Sequence, residues 1–151
     1  MTSRPARGTV LAFDYGEKRV GVAVGEIEIG IAHAVSVIRS VDNDSRFSAI
    51  AALIGEWRPA CLVVGMPGHA DGGPHETARL ARRFGQKLHG RFGLPVDFVD
   101  ERLTSIAAEA ALQEAGTRKK RRTELLDAAA AAEILRTWFS QLPGKEAGNM
   151  S

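Results

Sequence analysis

From Val10 to Phe13 every residue is apolar, and the run stops at Asp14. Four apolar residues in succession leave no polar face, the pattern of a strand covered on both sides of a sheet. Tyr15-Gly16-Glu17-Lys18 reads as a tight turn. From Lys18 to Val24, Val20, Val22 and Val24 alternate with Gly21 and Ala23 as a second strand. Gly30 to Ile38 reads as a third, and three strands with short connections make an antiparallel meander. The period then changes. A helix opens at Asp42 to Ser45, carries Phe47, Ile50, Ile54 and Trp57 at helical spacing with Leu53 beside them, and stops at Pro59. Ala60 to Met66 is again continuously apolar, as in a central parallel strand, and Cys61 within it reads as core. After the loop Pro67 to Pro74, the spacing predicts a helix over Glu76 to Phe92. Its buried stripe is Leu80, Phe84, Leu88 and Phe92, with a separate basic stripe of Arg79, Arg82, Arg83 and Lys87. Gly93 ends it, and Leu94 to Val99 is the fifth strand. A third helix is expected from Leu103 to Ala115, closed by Gly116, and a last one from about Thr123 to Gln141. Three strands followed by alternating helices and strands define an α/β class with a five-stranded mixed sheet.

Size and composition narrow this little. The 151 residues suit one domain, expected over 9–141, with flexible ends at 1–8 and 142–151. No apolar run approaches the ~20 residues needed to cross a bilayer, and MTSRPARG lacks a signal-peptide core. The single cysteine excludes an internal disulfide and suits a reducing cytoplasm. Net charge is only +2, yet Arg118, Lys119, Lys120, Arg121 and Arg122 stand in one run. Such a run repels itself and reads either as a solvated loop or as a nucleic-acid contact.

The chemistry lies in carboxylates at unusual places. Asp14 ends the first buried strand, where it either caps the turn or meets a cation. Asp100-Glu101-Arg102 ends the fifth strand in the same way. Alternation sends Asp100 and Glu101 to opposite faces, so only one of them can share a site with Asp14. Steps of four, three and four residues from Asp127 reach Ala131, Ile134 and Trp138, which puts Asp127 on the apolar side of its helix, whereas Glu133 falls near Arg136 and reads as solvated. Carboxylates gathered at strand ends suit hard divalent ions such as Mg²⁺ or Mn²⁺, and a pair of such ions can promote phosphodiester hydrolysis. His69 and His75 beside the glycine-rich loop are weak metal candidates and read more simply as surface residues or phosphate contacts. No GxxxxGK[ST], cysteine pair or GxSxG is present, which argues against a P-loop, a structural zinc and a serine hydrolase.

LAFDYGEKRVGVAVG, VVGMP followed by Asp71-Gly72, DERLTS at Asp100 to Ser105, and LLDAAAAAEIL around Asp127 occur in that order. Together they resemble the YqgF family of bacterial proteins, also described as Holliday-junction-resolvase-like proteins or pre-16S rRNA nucleases. The likeness runs from about Val10 to Phe139. It implies an RNase H-like fold with helices on both faces of the sheet. It also implies an acidic site at Asp14, Glu101 and Asp127, selecting Glu101 over Asp100. The implied task is cytoplasmic hydrolysis at the 5′ end of the small-subunit rRNA precursor with Mg²⁺ or Mn²⁺. Lys18, Arg19 and Arg102 flank the acids and would neutralise phosphate, and the run Arg118 to Arg122 with the basic stripe would hold RNA. Two positions depart from the family pattern. Gly25-Glu26 stands where many members carry serine and an acid, and Gly73 stands where threonine often follows the DG pair.

Other readings start from the same residues. A DNA resolvase of this fold would cut branched DNA as a symmetric dimer, whereas an RNA processor is expected to be a monomer or weak homodimer. A binding module without chemistry would hold RNA through its basic surfaces alone. An actin-like or sugar-kinase-like ATPase also opens with a strand and an aspartate–glycine turn, but needs two such domains, for which the chain is short. No membrane partner is expected.

Overall fold

The computed structural model describes residues 7–16, 18–39, 42–66, 75–100 and 119–142, with backbone alone for 75–76 and 119–127. Five strands form one sheet: β1 (Thr9–Tyr15), β2 (Arg19–Glu26), β3 (Ala32–Arg39), β4 (Cys61–Met66) and β5 (Val96–Asp100). Among the described residues three helices accompany them, α1 (Asn43–Trp57), α2 (His75–Phe92) and α3 (Lys119–Ser140). The strand order is β3-β2-β1-β4-β5. The meander β1-β2-β3 is antiparallel, and β4 and β5 run parallel to β1. The predicted elements are found with ends shifted by one or two residues, apart from the start of α3. The helix expected over 103–115 and the loop 67–74 lie outside the described residues.

The central strand β1 explains the layering. Val10, Leu11, Ala12 and Phe13 are all fully buried, yet they belong to two separate cores. Val10 and Ala12 pack with Ala23, Cys61, Val63 and Val99 under Ala131, Ile134, Leu135 and Trp138 of α3. Leu11 and Phe13 pack on the other side with Val20, Val22, Leu62 and Val64 against Phe47 and Ile50 of α1 and Phe84 and Leu88 of α2. Alternation along a strand sends neighbours to opposite faces, so a strand apolar throughout serves both.

Local signals set the helix ends. Asp42 caps α1, its Oδ1 accepting the Ser45 backbone N–H at 2.7 Å, and that bond holds its carboxyl below the usual carboxylate range. Arg58, before Pro59, takes a left-handed conformation with φ 47°, since the following proline disfavours a further helical residue. Gly93 closes α2 at φ 67°. α3 begins four residues before the expected Thr123 and takes Lys119 to Arg122 into its first turns. Lysine and arginine are good helix formers, and like-charge repulsion on a helix costs only a few tenths of a kcal/mol per pair. The burial of the α3 stripe outweighs it. Leu142, expected to open the tail, is 9 % exposed and packs in the α3 core, so an apolar residue just beyond the helix extends the domain.

Close approaches fix the layers. A Cβ at Gly85 of α2 would lie 2.6 Å from the Phe98 ring, and one at Gly25 of β2 would meet the Ile31 carbonyl oxygen at 2.6 Å and the Phe139 ring at 2.9 Å. The Gly25 departure is therefore an accommodation of Phe139. Its neighbour Glu26 accepts a hydrogen bond from the Thr9 hydroxyl at 2.6 Å. Both sit at the end of the sheet away from Asp14, since Val10 pairs with Gly25 and four residues of strand span about 13 Å. Near the C-terminal end of α3, Trp138 donates from Nε1 to Asp97 Oδ2 of β5 at 2.9 Å and ties that helix to the sheet.

Trp138→Phe is expected to lower stability by about 1–3 kcal/mol in urea titrations, because a part-buried carboxylate oxygen loses its donor. Gly25→Ser, the residue common in the resembled family, is expected to cost about 1–3 kcal/mol by overpacking. Phe139→Leu in the same chain should recover part of that loss.

Candidate active site at the carboxyl end of β1

Asp14 follows Val10 and Ala12 on the face that α3 covers, and it is half-buried. It escapes the full cost of burial because β1 ends one residue later. Its partner across β2 is Gly21, and the position next in register along β4, after Val64 opposite Phe13, is Gly65. Both glycines are buried. No Cβ therefore flanks the carboxylate in register on either neighbouring strand. The two hard oxygens of a carboxylate placed there suit Mg²⁺ or Mn²⁺. The turn that follows is held tight, for a Cβ at Gly16 would lie 2.6 Å from the Arg19 carbonyl oxygen.

Cations gather at the same end of the sheet. Lys18 is exposed and Arg19 half-buried at the start of β2, and Arg39, the register partner of Arg19, ends β3. Arg39 carries no local signal in the sequence. Antiparallel pairing brings it to the Asp14 end, a signal readable only once the meander is drawn.

Asp100 goes the other way. Val96 and Phe98 pack in the core of α1 and α2, and Asp100 shares their parity along β5. It lies on the face opposite Asp14. Glu101 and Arg102 lie outside the described residues, as do Arg118 and the side chains of Lys119, Lys120, Arg121, Arg122 and Asp127. His69 and the His75 side chain lie outside them too. Among the described residues no group of three metal-ligating side chains occurs. The stripe to which Asp127 was assigned is buried as expected, with Ala131, Ile134 and Trp138 at 0 % exposure. Glu133, read as solvated, makes an ion pair with Arg136.

The chain matches the family described as "RuvX: Holliday junction resolvase" over residues 8–141. It belongs to that family. The resemblance read from DYGEKRVGVAV, DERLTS and LLDAAAAAEIL is thereby borne out. A protein of Dechloromonas aromatica, provisionally named a pre-16S rRNA nuclease, is 58 % identical over 132 residues, 87 % of this chain and 90 % of its own. A Burkholderia cenocepacia protein of the same name is 50 % identical over 147 residues, covering 97 % and 99 %. Among solved structures, Thermus thermophilus RuvC in complex with Holliday junction substrate superposes with a TM-score of 0.54 at 15 % identity, covering 88 % of this chain and 94 % of that one. The fowlpox virus Holliday junction resolvase does so with 0.55 at 13 % identity, covering 89 % and 99 %. The RNase H-like fold is shared with both.

Asp14→Asn is expected to weaken Mn²⁺ binding in calorimetric titration at least about tenfold, the lower end of what even outer-shell changes cost a metal site. Asp100→Asn, on the opposite face, should leave it within about twofold.

Proposed function

We propose that this protein is a divalent-metal-dependent nuclease that hydrolyses phosphodiester bonds in 5′-end maturation of the small-subunit rRNA precursor. The observation that carries the reading is the half-buried Asp14 carboxylate, flanked in register by Gly21 and Gly65, on the α3 face at the carboxyl end of the central strand. The names of relatives at 50 and 58 % identity support the substrate. Asp14 would hold Mg²⁺ or Mn²⁺ together with Glu101 and Asp127. The opposite parity of Asp100 supports Glu101 as the carboxylate of that pair, and helical spacing from the buried Ala131, Ile134 and Trp138 supports Asp127.

When bound, a divalent ion supplies charge to polarise the phosphate and lowers the pKa of a coordinated water. The chain's own residues do the rest. Asp14 fixes where that charge sits, because β1 is immobilised between two cores. Lys18, Arg19 and Arg102 offset the negative phosphates of the bound strand, and the run Arg118 to Arg122 extends that field along the RNA. No described helix is long and apolar enough to cross a membrane. The proposed place of action is the cytoplasm.

A second reading, cleavage of four-way DNA junctions, is favoured by the family's own description and by the fold shared with RuvC. It would place two sites on two strands through a symmetric dimer. The deciding experiment incubates purified protein with a 5′-extended small-subunit rRNA precursor and, separately, a four-way DNA junction, each with Mn²⁺. Trimming of the RNA is expected, falling at least about 100-fold in Asp14→Asn, since each ~1.4 kcal/mol of lost transition-state stabilisation is a factor of ten and a metal supplies several. Unchanged cleavage by the variant would refute the assignment of Asp14. Paired nicking of the junction by a dimer, with the RNA untouched, would replace the RNA reading by the DNA one.

A further inference from the structure

On the other side of the sheet from Asp14, α1 and α2 enclose a pocket of ≈ 240 Å³ that opens to solvent. Helical spacing builds it. Asn43, Arg46 and Phe47 are one turn of α1, and Leu80, Arg83, Phe84 and Lys87 are two turns of one face of α2. Tyr15 of β1 closes the wall between them. The floor is aromatic: the Phe84 ring lies 5.0 Å from that of Tyr15 and 5.8 Å from that of Phe47. The wall and rim are cationic. Among the described lining residues there are three cations and no acid. Arg46 is 5 % exposed, with its guanidinium 5.4 Å from the centre of the Tyr15 ring.

We propose that this pocket binds a backbone phosphate of the nucleic-acid strand on which the protein acts, beside the phosphate presented to Asp14. The inference rests on the nuclease reading above and adds a second contact point for the same strand. Tyr15 is the residue after Asp14, so its side chain and that carboxylate leave one strand end toward opposite faces. A polynucleotide crossing the sheet edge at the end of β1 reaches both. The charge decides for an anion: a guanidinium set against aromatic rings, away from bulk water, attracts an anion more strongly than a solvated one does. The position decides for a strand phosphate over a free one, because the pocket wall is Tyr15, the residue after Asp14. The basic stripe expected along α2 is divided accordingly. Arg82 lies over the Phe98 ring at 5.4 Å, whereas Arg83 and Lys87 turn to the pocket.

The test measures binding in EDTA, where no cleavage occurs, so a protein that binds without cutting leaves it intact and the failure of either reading shows separately. A labelled single-stranded RNA dodecamer is titrated by fluorescence anisotropy with wild type, with Arg83→Gln/Lys87→Gln, and with a charge-matched control, Arg58→Gln/Arg136→Gln, away from the pocket. The pocket variant should bind about tenfold more weakly than the control at moderate salt. Its plot of log affinity against log salt should be shallower by about 1.4, two contacts at ~0.7 each for a single strand. Arg83→Lys/Lys87→Arg, which keeps the charge, should retain most of the affinity. Equal losses in the pocket variant and the control would overturn the proposal. So would calorimetric binding of AMP or inorganic phosphate that disappears in the pocket variant while RNA affinity does not change, which would make the pocket a site for a free phosphate compound.

Discussion

The structure depends on one strand being buried on both sides. β1 has no polar face to offer, so helices must cover it above and below, and each of its residues is assigned to one layer or the other by parity. Where the strand ends, parity outlasts burial. Asp14 and Tyr15 are neighbours in sequence, yet one turns to the α3 side and the other into the cleft between α1 and α2. A carboxylate able to take a cation and a wall able to take an anion are thereby set back to back. The strand between them cannot shift without disturbing two cores at once, which gives the pair a fixed geometry.

The two layers are held by different means. On the α1 and α2 side the contact is aromatic, with Phe13 edge-on and Tyr15 and Phe47 tilted against the Phe84 ring, and Gly85 lets α2 approach β5. On the α3 side a helix rich in alanine lies close to the sheet, and Trp138 fixes its register through Asp97. Asp97 is itself a part-buried carboxylate on the Asp14 side of the sheet, level with Ala12 and engaged by the indole. Two acids of one face thus hold different places: Asp97 positions a helix, and Asp14 stands one pleat further along, where the strand ends.

Much of this was legible in the chain. The apolar run of β1, the alternation in β2 and the four-residue steps of α2 are local periodicities, and each names its element. Arg46 stands four residues before Ile50 and so on the apolar stripe of α1, where Phe47 beside it carries the same periodicity and hides it. The self-repulsion of Arg118 to Arg122 conceals the start of α3, which helix propensity carries back to Lys119. Nothing near Asp97 in sequence announces its partner, a tryptophan 41 residues away.

The sequence by itself determined the elements, the sheet class, the family and the identity of Asp14 as an acid at a buried strand's end, because these follow from short-range spacing and local motifs. Only the tertiary structure decided which neighbours Asp14 has. That its flanking positions are Gly21 and Gly65, that Asp100 looks away, that Arg39 comes to the same edge and that Arg46, Arg83 and Lys87 share a pocket all depend on strand register and helix packing. Those are set by the mutual burial of residues far apart in the chain, and no local pattern encodes them.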